Sequence, residues 1–462
     1  MKTLSALAFA AFVPLALAQT RAPHEQLAFD IYKELVEINT VTATGDTARA
    51  ADAMAARLIA AGFPREDVQV FKPAARKGNL VAKLRGSGAR KPMILMAHTD
   101  VVDARREDWT TDPFKLTEFD GHYQARGASD DKFMAAAFVA NLIRYKREGY
   151  KPDRDLILIL ETDEETDDAA KYGIGWLLAN QRALIDAEFA LNEGADVGLD
   201  SGKPISVGIQ TGEKVYQTYT LEVRDAGGHS SQPGPTNAIY ALAAGLTRLS
   251  QFAFPMQLNE TTRLYLERGS ALEEPRVRDD MRNVASASPD PAAVARLSGE
   301  PRFNALLRTT CVATMLEGGH AENALPQLAK ATVNCRVLPG QPVAEVKATL
   351  ARVLADDKIE IKEITKANPS DPSPLTPELM SAIEKLAGEF WPGAPVIPIM
   401  APGATDGAFL RNAGIPTYGH SGLANEVAEN REHGRDERIP VKSFYEGLEY
   451  LYRLVKALAG GR

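Results

Sequence analysis

The sequence predicts an α/β protein whose mostly parallel, helix-covered sheet is interrupted by an inserted α+β module with an antiparallel sheet. Three observations carry that expectation. Apolar runs such as Leu156-Ile157-Leu158-Ile159-Leu160 are continuous rather than alternating, which suits strands covered on both faces. Stretches of helical periodicity separate these runs, as in a sheet wound with helices. From about Gly212 the texture changes, and after about Pro369 the first texture returns. The chain therefore divides into residues 19–211, an insertion at 212–367, and a second α/β portion at 368–462.

The chain opens on a processing signal. Lys2 precedes an apolar run from Leu4 to Leu17 that closes on Ala16-Leu17-Ala18, a small-x-small cleavage pattern. Residues 1–18 read as a signal peptide, so the mature chain is expected to be exported, periplasmic or secreted. A run of about 14 apolar residues is short for a bilayer span, and no later run reaches about 20, so no membrane contact is expected after signal removal.

Helices follow at Glu25 to Ile38, where Leu27, Ile31, Leu35 and Ile38 share a face, and at about Thr47 to Ala61. Strands are predicted at Leu80 to Leu84, Met93 to Ala97, Leu156 to Leu160 and Phe189 to Leu191, with helices at Lys132 to Arg147 and Ile174 to Asn180. In the insertion, Tyr216 to Val223 alternates, a helix runs from Asn237 to Leu249, and a long polar stretch covers Asn259 to Pro301. Strands at Thr309 to Leu316 and Lys330 to Val337 then flank a loop. The C-terminal helix carries Phe444, Leu448, Leu451, Val455 and Leu458 on one face.

Composition narrows the chemistry. The 462 residues hold 53 Lys and Arg against 61 Asp and Glu, a net charge of -8, which argues against a nucleic-acid partner gripped through phosphates. With two Cys and seven His, a metal site must combine a few imidazoles with carboxylates. Such residues sit where strands stop: His98-Thr99-Asp100, Glu161 to Glu165, and Asn192-Glu193-Gly194. In open α/β sheets the crevice beyond the carboxyl ends of the strands is the binding site, so the three clusters should face one place. Gly127 to Lys132 opens a helix, and His433 lies in a late charged run. Taken singly, an acidic run is usually a solvated loop and an Asp before a helix its cap.

In combination the segments Ala97-His98-Thr99-Asp100, Arg126 to Lys132, Asp163-Glu164-Glu165, Asn192-Glu193-Gly194, Gly228-His229-Ser230-Ser231, Asn334 to Pro339, Gly403 to Asp406 and His433-Gly434 stand in the order of a known pattern. The sequence resembles the M20 family of dinuclear zinc exopeptidases and aminoacylases. The resemblance implies a zinc-exopeptidase-like catalytic domain, an inserted lid and dimerisation domain, a homodimer, and two zinc ions per subunit. It implies that Asp130 bridges the ions, that His98 and Glu193 complete one site, and that Glu165 and His433 complete the other. Two Zn(II), three carboxylates and one bridging hydroxide sum to zero charge, which suits a partly buried cleft.

The same resemblance implies that Glu164 is the general base, that Asp100 orients the His98 imidazole, and that His229 donates to the developing oxyanion, in family dimers often from the partner subunit. Arg336 corresponds to an arginine that grips a substrate carboxylate, and Asn323 with Gly403, Ala404 and Thr405 would line that pocket. The expected reaction is hydrolysis of an amide next to a free carboxylate in a short peptide or N-acyl amino acid. Alternatives are an aminoacylase acting on non-peptide acyl groups and a non-catalytic binding protein of the same fold. Neither a Gly-x-Ser-x-Gly elbow nor a His-Glu-x-x-His occurs, against serine-hydrolase and single-zinc readings. One departure from many relatives is Phe133, where they carry Gly.

Cys311 and Cys335 each lie 12 residues from Asn323. Strands pairing symmetrically about that residue would set the two opposite each other, and a one-residue slip would separate them. A disulfide and two packed thiols are equally open on this spacing.

Overall fold

In the computed structural model, which describes residues 21–166 and 168–462, the apolar runs form the middle of a ten-stranded sheet. The signal peptide read at residues 1–18 lies outside the described residues. Met93–His98 runs parallel to Leu156–Glu161 on one side and to Phe189–Asn192 on the other. Their residues alternate between two cores: Leu95, Leu156, Leu158 and Leu160 enter one, and Ile94, Met96, Ile157 and Ile159 enter the other. Both faces are dry, which is why these strands show no polar alternation.

Thr417–Gly419 extends the parallel arrangement beside Phe189–Asn192, while Val68–Ala74 and Lys77–Leu84 pair antiparallel at one edge. Helices Pro23–Glu37, Lys132–Glu148 and Val441–Ala459 contribute to the first core, and Ile174–Asn180 and Gly407–Asn412 to the second. Phe133 is fully buried, edge-on to Phe444 with ring centroids 5.7 Å apart. Gly447 of the C-terminal helix makes room for it, since a Cβ there would come within 2.7 Å of the Phe133 ring. A helical glycine costs about 1 kcal/mol relative to alanine, and here it admits the larger side chain.

At Lys214 the chain passes from Lys203–Glu213 of the large sheet into Val215–Arg224 of a second sheet. That sheet orders its strands Thr310–Gly318, Leu328–Val337, Val215–Arg224, Ile359–Glu363, all antiparallel. Helices Ala238–Ser250 and Val343–Leu354 cover one face, packing Leu242 and Leu350 against Tyr219, Leu221 and Val333. Cys311 stands opposite Cys335 and the two form a disulfide. The strands pair symmetrically about Asn323 through the cysteines and shift register only nearer the loop, between Ala313 and Met315.

The polar stretch from Asn259 to Pro301 is helical. Glu260–Gly269, Pro275–Ala285, Pro291–Ser298 and Pro301–Leu307 enclose a core of their own around Leu266, Met281, Val284, Leu297 and Phe303. Three of the four begin with proline at the first helical position, a start signal legible in the sequence. Although this segment lies within 212–367, its first helix packs on Val396–Ala401 of the large sheet. Arg268 Nη1 donates to the Val396 carbonyl (2.9 Å), and the Thr261 and Thr211 hydroxyls are hydrogen-bonded (2.6 Å). Among the described residues no helix is long and apolar enough to cross a membrane.

Candidate metal centre

The clusters at the strand ends converge. His98 ends Met93–His98, Glu164 and Glu165 follow Leu156–Glu161, and Glu193 follows Phe189–Asn192, so adjacent parallel strands deliver them to one crevice. Asp130 comes from the turn before helix Lys132–Glu148, and His433 from a loop near the C-terminus.

The geometry is organised about Asp130. Its Oδ1 lies 2.8 Å from His98 Nε2, and its Oδ2 lies 2.9 Å from His433 Nε2. Each imidazole nitrogen has a second carboxylate beside it: Glu193 Oε2 at 3.8 Å from His98, and Glu165 Oε2 at 3.0 Å from His433. Donors about 2.0–2.1 Å from a common tetrahedral zinc lie a little over 3 Å apart, so these spacings fit a cation at each imidazole. Asp131 also offers an oxygen near His98 and Glu193, and Glu164, Glu193 and Asp406 form a further all-carboxylate group.

The electrostatics give the same answer. Burial and the neighbouring Glu193 charge push Glu164 well above the carboxylate range, and burial raises Glu193 and Asp131 too. Burial also opposes the Asp130 charge, but the two imidazoles outweigh it and hold Asp130 well below the usual range. Asp130 and Glu165 raise His433 to about 10; His98, despite full burial, is raised by Asp100, Asp130 and Glu193. A buried set of carboxylates that raise one another's pKa, with Asp131 Oδ2 lacking any hydrogen-bond partner, is a donor set that suits divalent cations.

Glu164 and Glu165, adjacent in sequence, differ in surroundings. Glu165 faces His433, whereas Glu164 faces Glu193 and Asp406. Asp100 holds both backbones: its Oδ1 accepts from Glu164 N (3.3 Å) and its Oδ2 from Glu165 N (3.2 Å). The expected carboxylate clamp on His98 is therefore realised differently. His98 Nδ1 donates to the main-chain carbonyl of Asp100 at 3.1 Å, and the carboxylate, 3.7 Å away, is occupied by the loop amides.

The predicted substrate residues are not drawn into this cluster. His229 lies on the short strand Gly228–His229, paired with Ala324–Leu325, and is exposed. Ser231 N donates to its Nδ1 (3.2 Å), which leaves the proton of a neutral ring on Nε2, free to donate outward. Asn323 is its neighbour, its carbonyl accepting from Ser230 N at 3.0 Å. Arg336 is half-buried, with its guanidinium 4.6 Å from the Tyr216 ring centroid and no acidic partner among the described residues; burial lowers its pKa. Gly403 and Ala404 are exposed, and Thr405 Oγ1 accepts from Gly407 N (3.3 Å) at the start of Gly407–Asn412. No hydrogen bond or ion pair joins His229, Asn323 or Arg336 to the carboxylate cluster among the described residues.

Two acidic residues at the site were given no role by sequence. Asp406, which follows the Gly403–Thr405 loop, is buried, accepts from Asn192 Nδ2 at 2.6 Å, and is raised by burial to about 7. Glu437 is buried among backbone amides of the Asp130 turn, and burial raises it likewise to about 7. Nothing in the run Glu432 to Arg438 marks Glu437 out, since burial of one member of a charged stretch leaves no trace in composition.

Comparison with known proteins gives concordant matches. The family model described as Peptidase family M20/M25/M40 matches residues 94–457. The human protein named N-fatty-acyl-amino acid synthase/hydrolase PM20D1 is 30% identical over 381 residues, 79% of this chain and 74% of the relative. A probable carboxypeptidase S-like 2 of Dictyostelium discoideum is 30% identical over 376 residues, 79% of this chain and 71% of that one. Among solved structures, an M20 family metallo-carboxypeptidase from Sulfolobus solfataricus has the same fold, with a TM-score of 0.70 at 19% identity over 94% of this chain and 99% of its own.

Proposed function

The chain belongs to peptidase family M20/M25/M40, and from that premise we propose that it is a two-zinc hydrolase of amide bonds next to a free carboxylate, in short peptides or N-acyl amino acids. The observation that carries the reading is the division of donors about Asp130, one carboxylate oxygen toward His98 and Glu193 and the other toward His433 and Glu165. A pair of zinc ions held there would supply a Lewis acid for the carbonyl and lower the pKa of water.

The chain's own residues do the rest. Glu164, held at its backbone by Asp100 and gathered with Glu193 and Asp406, takes the proton of the attacking water and passes it to the leaving nitrogen. His229 Nε2–H donates to the carbonyl oxygen as it gains charge. Arg336, a half-buried guanidinium with no carboxylate partner among the described residues, grips the substrate's free carboxylate, with Asn323 and the Gly403-Ala404-Thr405 loop beside it. Residues 212–367 act as lid and dimerisation domain.

His229 is exposed in the single chain, so closure or a second subunit must bring it to the bond. A homodimer through the edge strand Thr310–Gly318 suits its exposed Val312, Met315 and Leu316. Antiparallel self-pairing about Thr314 would set Val312 against Leu316 and Ala313 against Met315, without opposing like charges. The Cys311–Cys335 disulfide fits the export expected from residues 1–18.

An aminoacylase acting on non-peptide acyl groups is the second reading, favoured by the likeness to a protein named for N-fatty-acyl amino acids. Both are tested by hydrolysis of dipeptides, longer peptides and short- and long-chain N-acyl amino acids, before and after chelation. The preferred acyl group separates the two. Activity that survives complete metal removal overturns both. Glu164→Gln should lower turnover by about 10²–10⁴-fold with metal content intact, whereas Glu165→Ala should lose metal; equal metal loss in both variants overturns the roles given to the pair.

A further inference from the structure

Two of the five donors come from irregular backbone. His98, Glu165 and Glu193 are carried at or just after strands of the large sheet, whereas Asp130 sits in the turn before a helix and His433 in a loop with φ +59°. His433 is also the most exposed of the five, 57% against 17% or less for the others. Antiparallel pairing of His122–Gln124 with Arg438–Pro440 brings these two segments together although about 300 residues separate them in sequence, but the ladder stops short of both Asp130 and His433. Something else must set the distance between them.

A buried ion pair spans that gap. Arg126 and Glu437 are 3% and 1% exposed, with Arg126 Nη1 2.6 Å from Glu437 Oε2. Each oxygen of Glu437 accepts twice. Oε2 takes Arg126 Nη1 and the Gly127 amide (3.1 Å), and Oε1 takes the amides of Ser129 (2.8 Å) and Asp130 (3.2 Å). The carboxylate thus gathers three amide donors of the turn that ends on Asp130, those of Gly127, Ser129 and Asp130. In return, Arg126 Nη2 reaches the carbonyls of Gly434 (2.9 Å) and His433 (3.3 Å). Each member of the pair therefore holds the other's loop: the late residue secures the Asp130 turn, and the early residue secures the His433 loop.

Neighbouring bonds keep the pair in place. The guanidinium lies 5.2 Å from the Trp109 ring centroid, and the Ala125 amide donates to the Glu437 carbonyl (3.1 Å). Asp436, next in the chain, accepts from Thr110 N and from Gln124 Nε2.

From this arrangement we infer that Arg126 and Glu437 are positioning residues that set the spacing between the Asp130 carboxylate and the His433 imidazole. Their loss selectively weakens binding of the ion on the His433 side. The inference rests on the two-metal reading proposed above. Its chemistry is specific. All four donors aim at a carboxylate, so a glutamine at 437 must turn its NH₂ toward donors on one side. A lysine at 126 keeps the charge but cannot serve Glu437 and both carbonyls at once.

The test is competition for zinc by a chromophoric chelator on the full-length wild type, Glu437→Gln and Arg126→Lys, with cobalt substitution to read each ion's ligand field. Wild type should hold two ions. Both variants should keep one ion at wild-type affinity and bind the other about 10–100-fold more weakly, with an altered cobalt spectrum for that ion alone. If Glu437→Gln does not fold, Arg126→Lys decides, because it retains the buried charge. Two ions bound by wild type and bound within twofold as tightly by Arg126→Lys, with an unchanged cobalt spectrum, would overturn the positioning role alone. A wild type that binds no zinc overturns the two-metal reading as well.

Discussion

The turn carrying Asp130 and the ribbon carrying His229 differ in how much of the chain holds them. The Asp130 turn is tied by Glu437 to a segment some 300 residues away, and its neighbours in the crevice stand on strands buried on both faces. His229 stands on a two-residue strand paired with another two-residue strand, and both of its residues are exposed. The difference matches the tasks proposed for the two regions. Donors to a cation must be placed to within a few tenths of an ångström before anything binds, whereas a group that meets the substrate must let it in first. The restrained part borders the large sheet and the exposed part stands on a separate two-stranded ribbon, so the two should fail separately when altered.

His229→Ala probes that separation with the largest expected effect. Loss of one donor to an oxyanion lowers kcat by about 10²–10³-fold. The side chain is exposed and bonded only to Ser231 among the described residues, so thermal stability and metal content should be unchanged. Steady-state kinetics with metal analysis on the same preparation checks both halves of the statement. A fall in metal content would break the comparison, because it would make His229 part of the restrained region.

The two regions also differed in how far they could be read from sequence. The crevice was legible because strand ends are marked by composition: His98, Glu165 and Glu193 each follow an apolar run that can hardly be anything but a buried strand. The cysteine pairing was legible as an alternative, since equal spacing about Asn323 predicts opposition only if the register holds, and the register shift falls beyond Ala313. Packing choices were not legible. The helices between Asn259 and Leu307 carry their apolar residues on single faces, and nothing in those faces says that they meet Val396–Ala401 rather than the neighbouring sheet. Glu437 and the Asp100 carbonyl escaped for a related reason, because a buried hydrogen-bond acceptor and a main-chain oxygen have no signature in residue type.

Removing the disulfide sharpens the comparison from the other side. The bond closes a loop with a sequence separation of 24, for which chain entropy predicts about 3 kcal/mol of stabilisation. The double variant Cys311→Ser/Cys335→Ser should lose stability in the four-stranded sheet, read as faster amide exchange across Thr310–Gly318 and Leu328–Val337. Exchange in Met93–His98 and Leu156–Glu161 should stay at the wild-type level, and both metal ions should be retained. Uniform acceleration across both sheets would mean that the two regions unfold as one cooperative unit.

The smallest effect belongs to the restrained region and appears only with pH. His420 is fully buried, its Nδ1 bonded to the Gly208 carbonyl (2.7 Å), its Nε2 to the Tyr450 hydroxyl (2.6 Å), and its own amide to the Asn192 carbonyl beside Glu193. Burial lowers its pKa from 6.5 to about 4, so the folded state keeps the ring neutral while the unfolded chain protonates first. The unfolded state then binds the extra proton, and stability from this group is full above pH 6.5 and declines as pH falls toward 4. Between pH 6.5 and 5.5 the loss is about 1 kcal/mol. His420→Gln preserves a donor for Gly208 and an acceptor for Tyr450 without the titration. Urea melts of both proteins across that interval should therefore converge by about 1 kcal/mol as pH falls, the many other titrating groups being common to the two and cancelling in the difference. Parallel stability curves would mean that the unfolded chain does not gain the proton first, and that the packing around His420 does not hold its ring neutral.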